Sequence, residues 1–350
     1  MKRRALLASL ATCGHAWSIP VGPALDRPAV TAHAPSHAVL LGAALAGTRW
    51  VAVGERGLAL VSDDRGRSWR QAQVPVSVTL TAVAFADALR GYATAHGGTV
   101  LGSSDGGLTW TRLLDGRAIA SMMREAAARS GDESRRKVAE RMTADGPDKP
   151  LLDLVVSSPT EAFVVGAYGL ALSTSDAGKT WSLASDLLEN PKGHHLYAVR
   201  RRDRVVVIAG EQGLLLRSED GGRSFRRLAS PYQGSFFTLE LPSATDIVTA
   251  GMRGNVWRSA DAGGSWHRLP LPSPSPAAIT GSSLRPDGSF ILASQAGQLI
   301  AGTGTSLEEL TFPPLPPLTG VLSVPGDKLL ALSLQGVHVL SSVGAPGSAK

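Results

Sequence analysis

The sequence predicts an all-β fold, a seven-bladed β-propeller with one helical insertion between blades 2 and 3, and three observations predict it. An eight-residue pattern, Ser/Thr-x-Asp-x-Gly-x-Ser/Thr-aromatic, occurs five times, with its aspartate at Asp64, Asp105, Asp176, Asp220 and Asp261 and its aromatic at Trp69, Trp110, Trp181, Phe225 and Trp266. A glycine stands seven residues before each aspartate, at Gly57, Gly98, Gly169, Gly213 and Gly254, and the same surroundings recur at Gly297 and Gly336, which makes seven units. Each unit reads as four short strands separated by turn residues, and such a unit repeating every ~40 residues is how a propeller blade appears in sequence.

Composition agrees with a folded, turn-rich chain. The 350 residues are 18% charged and 43% hydrophobic, with 39 Gly and 22 Pro, which excludes disorder and collagen-like structure. The net charge is +6, but the arginines are spread along the chain and no basic block is interleaved with stacking aromatics, so nucleic acid is not an expected partner.

Residues 1–18 read as a secretory signal peptide: Met1-Lys2-Arg3-Arg4 is a basic start, and Ala5 to Ala11 a short apolar stretch. Cleavage is expected after Ala16 or Ser18. The only cysteine, Cys13, follows Leu10-Ala11-Thr12 in an arrangement close to a bacterial lipobox, with Thr12 the departing residue. It is either a lipid anchor or discarded with the signal. With one cysteine no disulfide forms within the chain, so the core alone holds the fold. The expectation is an exported, periplasmic monomer.

The propeller is expected over residues 28–342. In each box the aspartate and the preceding Ser/Thr sit in the turn between a blade's third and fourth strands, where their oxygens accept backbone N–H groups. The boxed aromatic then packs between neighbouring blades and buries roughly 150–250 Å². Blade 7 has sequence for only three strands, so Pro28 to His33 is expected to supply its fourth and close the ring. Between blades 2 and 3 the aspartate step lengthens to 71, against 41 to 44 elsewhere. The excess, within residues 115–150, is rich in Ala, Arg and Glu, and Arg117 to Met142 reads as two helices broken at Ser130-Gly131 with Asp132 as the second N-cap. Ile119, Met122, Met123, Ala126, Val138 and Met142 form its apolar stripe. Residues 343–350 read as a flexible tail.

These units resemble the Asp-box (BNR) repeats shared by sialidases, other secreted propellers and the photosystem II stability and assembly factor family. The chain is most similar to the last, a compact exported propeller. That resemblance implies a non-enzymatic factor that binds and stabilises membrane-protein subunits during assembly, with a membrane-complex subunit or a transporter as partner. The family's arginine patch does not align to particular arginines here.

Strand order places the turns between second and third strands on the side opposite the boxes, together with the blade-to-blade connections and the insertion. On that side Arg56, Tyr168, Glu211 and Arg253, each beside its repeat glycine and so read as near the axis, are the expected partner-binding residues, with Arg124, Arg135 and Arg136 of the insertion. The alternative is a sialidase-like glycoside hydrolase on the same face. Its chemistry needs a tyrosine activated by a glutamate beside arginines, and Tyr168, Glu211 and Arg253 are the one such combination on neighbouring turns. The Arg-Ile-Pro motif of that family is absent. The adjacent His194 and His195 would face opposite ways on a strand and are expected in a strand-end loop. No Gly-rich phosphate loop, nucleophile elbow or paired metal motif appears, so no metal or cofactor is expected.

Overall fold

The structure, a computed structural model, describes residues 22–341. The signal segment, Cys13 and residues 343–350 lie outside the described residues. The described chain forms seven antiparallel sheets in ring order, six of four strands and a last one of three. Blade 4 is representative: Leu196–Arg202 is innermost, followed outward by Val205–Gly210, Leu215–Ser218 and the two-residue Arg226–Arg227.

The second strand of every blade is buried from both sides, as in Arg49–Gly54 and Val205–Gly210, because the sheets stack face to face around the ring. Each of the seven blade interfaces accordingly holds its own apolar cluster. Blades 3 and 4 share Val165, Ala171, Val206 and Ile208, and blades 7 and 1 share Leu330, Leu332, Leu40 and Leu60. The boxed aromatics sit in these clusters at the interface with the preceding blade: Trp110 packs with Val51 and Val61, and Phe225 with Ala171.

The boxes fold as expected. In blade 1 the Ser62 hydroxyl donates to Asp64 Oδ1 (2.8 Å) and accepts from the Gly66 N–H (2.8 Å), while Asp64 accepts from the Ser68 N–H (2.9 Å) and hydroxyl (2.6 Å). The other four boxes repeat these bonds.

The repeat glycines have a different cause. Gly57 and Gly213 have φ of +76° and +74°, and a Cβ there would lie 2.1 Å from Val76 O and 2.0 Å from Tyr232 O. The chain leading to the next blade crosses directly over this turn, and only glycine admits it. At Gly336 of blade 7 the crossing chain is the N-terminal segment, with Ser36 O 2.0 Å from where a Cβ would stand.

That crossing corrects the expected closure. Residues 28–33 form no strand and do not pair with blade 7, whose outer strand is Gly336–Ser341. They bond instead to blade 1, through Ala29 N–H to Val74 O (3.0 Å) and Ala32 N–H to Gln71 Oε1 (2.8 Å). The N-terminal segment therefore replaces the missing connection from blade 7 to blade 1, not the missing strand. Closure comes from direct contact between the two blades, through the apolar cluster they share and through the Thr319 hydroxyl, which donates to Leu40 O.

The insertion is two helices, α1 (Gly116–Ser130) and α2 (Glu133–Asp145). Asp115 caps α1 by accepting from the Arg117 and Ala118 N–H groups, Gly131 ends it in the left-handed conformation, and Asp132 caps α2. Ile119 is fully buried with Leu114, Leu151 and Leu170, and Met142 joins the same cluster. The apolar stripe thus lies on blades 2 and 3, except for Val138, which is 54% exposed.

Candidate functional site

The axis of the ring is an open cavity of about 680 Å³ walled by the inner strands of the blades. Arg56, Tyr168, Glu211 and Arg253 do not line it. This corrects their expected near-axis position: turns between second and third strands stand at middle radius, because the first strand lies inside them.

Charge at the axis comes from residues that the sequence reading passed over. Arg200 of blade 4 donates through Nη1 to Asp153 Oδ2 of blade 3 (2.7 Å), and its Nε lies 3.6 Å from Glu240 Oε2 of blade 5. Glu240 also accepts from the Ser282 hydroxyl of blade 6 (2.6 Å). One cation and two carboxylates therefore link four consecutive blades. Burial pushes the Glu240 carboxyl upward, against the pull of Arg200. The sequence carried a signal for only part of this network: Asp153 interrupts the apolar run Leu152-Asp153-Leu154-Val155, whereas Arg200 begins the run Arg200-Arg201-Arg202 and Glu240 ends its strand.

On the insertion side the structure brings Tyr168 and Arg135 together. Tyr168 stands in the left-handed region (φ 56°) at the turn of blade 3, 61% exposed. It borders a cavity of about 270 Å³ between the helices and blade 3, lined also by Met123, Ala126, Val138, Leu170 and Arg135. Two neighbours fix the ring. The Lys149 ammonium lies 5.2 Å from its centroid, and the His195 ring meets it edge-on at 4.8 Å. Lys149 is itself buried and paired with Asp145 and Asp148. Arg135 Nη1 bonds Asp186 Oδ2 (2.9 Å), strapping α2 to blade 3.

Glu211 reaches this group only through His195. His195 Nδ1 accepts from the Tyr168 N–H (2.9 Å), and the His195 N–H donates to Glu211 Oε2 (3.1 Å). Both histidines precede the inner strand of blade 4, in a strand-end loop. Glu55 of blade 1 accepts the Val39 N–H in the same manner (3.2 Å), so the Glu211 arrangement is a recurring strut between turn and entering chain. The remaining expected contacts are dispersed. Arg56, with its side chain 89% exposed, borders a separate cavity of about 470 Å³ beneath the N-terminal segment. Arg253 is exposed on blade 5, Arg124 is exposed on α1, and Arg136 pairs with Glu133 on α2. Tyr168, Glu211 and Arg253 do not converge as a hydrolytic trio; Arg253 has no hydrogen bond or ion pair to either among the described residues. The described residues also hold no group of three or more His, Cys, Asp or Glu placed for a metal ion.

Fold and geometry together define the class: an Asp-box propeller whose distinguishing surface is a helical hairpin docked beside an exposed aromatic. Residues 139–301 match the family described as photosynthesis system II assembly factor YCF48. The chain resembles that assembly-factor propeller family. A stretch of 99 residues is 30% identical to the photosystem II assembly lipoprotein Ycf48 of Synechococcus sp. (strain CC9902), spanning 28% of this chain and 28% of that relative. Among solved structures, YCF48 bound to D1 peptide superposes with a TM-score of 0.65 at 15% identity, over 91% of this chain and 98% of that one. YCF48 from Cyanidioschyzon merolae gives 0.64 at 15% identity, over 87% and 96%. The GH74 xyloglucanase from Xanthomonas campestris gives 0.63 at 15% identity, over 90% of this chain and 53% of that enzyme. At these identities the structural likeness is one of fold, which hosts both binders and hydrolases.

Proposed function

We propose that the protein is a non-enzymatic binding and assembly scaffold that recognises a membrane-complex subunit or a transporter through its insertion-bearing face. It acts as a monomer in the periplasm, held at the membrane through Cys13. The observation that carries this reading is the pairing of Tyr168 with Val138 beside the cavity between the hairpin and blade 3. Both side chains are exposed, and an oriented aromatic beside a recess of mixed apolar and polar lining is a common anchor of a protein interface. The match to the assembly-factor family supports the same reading, as does a fold neighbour described as bound to a D1 peptide. The name of the curated relative, a lipoprotein, supports the anchor.

The test is co-purification from detergent-solubilised membranes of the source cell. An integral membrane protein is expected to accompany the wild-type chain and to be lost from a Tyr168→Ala/Val138→Glu variant of unchanged thermal stability. Retention by that variant would remove the insertion face as the binding surface.

A further inference from the structure

The described chain begins on the insertion side of the ring. Ala24–Asp26 is wedged between the first turn of α1 and the chain linking blades 1 and 2. Leu25 is buried against Gly97, in the turn between the second and third strands of blade 2, and Ala24 O accepts from the Ser77 N–H (2.8 Å). Asp26 accepts from Arg117 Nη2 (2.6 Å) and Arg112 Nη1 (3.3 Å). Cys13 lies nine residues before Gly22, so at most about 32 Å of extended chain separates the two. An inner strand such as Leu40–Ala46 by itself rises about 23 Å. A bilayer against the box turns would therefore use most of that tether in running down the edge of the blades. A bilayer against the insertion side would use none of it.

The same side carries most of the exposed apolar side chains. Of the eight large ones exposed among the described residues, five stand there: Val30, Val138, Tyr168, Met252 and Leu334. Tyr168 and Val138 flank the recess at blade 3. The other three are spread over blades 1, 5 and 7: Met252 and Leu334 in the turns before Gly254 and Gly336, and Val30 on the N-terminal segment over the Arg56 turn. Leu89 is their one counterpart in a box-side turn among the described residues. Charge sorts in the same way. Glu55 and Glu211 are turned back onto the Val39 and His195 N–H groups. Arg56 projects outward with only a 4.0 Å approach to Glu55, and Arg253, next to Met252, has no ion pair among the described residues. Apolar tips flanked by outward arginines suit a membrane interface, where guanidinium groups meet anionic headgroups and the apolar side chains leave water.

We infer that the part of the insertion face running from blade 5 to blade 1 rests on the surface of the bilayer that holds the anchor, leaving blade 3 and the hairpin for the membrane partner. This rests on the reading of Cys13 as a lipid anchor. The contact is shallow and adds to the tether without replacing it, since a few apolar tips do not hold a chain at a membrane unaided. The test uses the chain from residue 13 with Cys13→Ser and an N-terminal hexahistidine bound to chelator lipid, so neither lipidation nor the partner enters the readout. A bimane label is placed at Met252→Cys or Leu334→Cys on the insertion side, and at Arg67→Cys or Arg223→Cys in box turns. The vesicles are phosphatidylcholine and phosphatidylglycerol with a headgroup-nitroxide lipid as quencher. Labels at 252 and 334 are expected to be quenched at least about threefold more than those at 67 and 223. That excess should shrink when Arg56→Glu/Arg253→Glu is added or phosphatidylglycerol is omitted. Equal quenching of the two faces, stronger quenching of the box turns, or an excess indifferent to both changes would overturn the proposal. Failure of the co-purification test with the quenching asymmetry intact would count against the partner reading alone.

Discussion

The Thr319 hydroxyl donates to the Leu40 carbonyl oxygen at 2.5 Å, joining the inner strands of the last and first blades. Equivalent stitches run around the axis, from Thr81 to Leu151 O (2.7 Å) and from Thr280 to Leu318 O (2.8 Å). The ring is thus closed where its radius is smallest, by side chains of one inner strand reaching the backbone of the next. This accounts for a stable seventh blade of three strands. Thr319→Val should therefore leave the Leu40 carbonyl without its donor and cost about 1–3 kcal/mol, read from urea unfolding. An unchanged midpoint would place closure in apolar packing alone.

The axial charges make a second, opposed pair of expectations. Arg200→Met strands Asp153 and Glu240 in the cavity wall and is expected to destabilise by about 3–5 kcal/mol. The triple variant Asp153→Asn/Arg200→Met/Glu240→Gln should recover most of that loss, since no ion is then left uncompensated. If the triple variant is as unstable as the single one, the network acts through shape and not through charge.

Acid should weaken the fold over a defined range. Asp26 is held down to about 2 by its hydrogen bonds from Arg117 and then Arg112, and the Ser68 and Thr180 hydroxyls hold Asp64 and Asp176 at the same level, against an ordinary 3.8. For carboxyls lowered by folding, the stabilisation is fully present above the unfolded value and disappears as pH falls through the folded one. The thermal midpoint should accordingly drop between about pH 4 and about pH 2. Asp26→Asn should make that drop shallower, and an identical curve would show that the Arg112 and Arg117 contacts contribute nothing.

The hairpin is part of the core and not an appendage. Ile119 is fully buried between α1 and blades 2 and 3, so Ile119→Ala should cost about 2–5 kcal/mol. Val138→Ala, on the exposed face of α2, should cost under about 0.5 kcal/mol. Equal losses from the two would mean that the hairpin packs differently. The burial also makes point variants a better probe of this face than deletion, which would uncover Leu114, Leu151 and Leu170.

Anchoring through Cys13 has a direct readout. Palmitate labelling in a bacterial host should mark the wild-type chain and not Cys13→Ser, and the wild type alone should sediment with membranes. Release of both into the soluble periplasm would establish a cleaved, free protein.

Local chemistry explains which features the sequence alone determined. The boxes are self-contained turns whose Ser/Thr and Asp side chains satisfy backbone within a few residues, so strand order, blade number and the positions of the box aromatics follow from the linear pattern. The break in the hairpin was equally legible, because Gly131 and Asp132 act on their immediate neighbours. The tertiary structure decided everything that depends on which blades meet. Asp153, Arg200 and Glu240 lie forty or more residues apart in sequence and become one network only when their inner strands converge on the axis. The Tyr168 recess likewise exists only because α2 lies down beside blade 3. The path of residues 28–33 was decided in the same way: an extended segment goes where partners await its backbone, here the Gln71 side chain and Val74 O at the edge of blade 1.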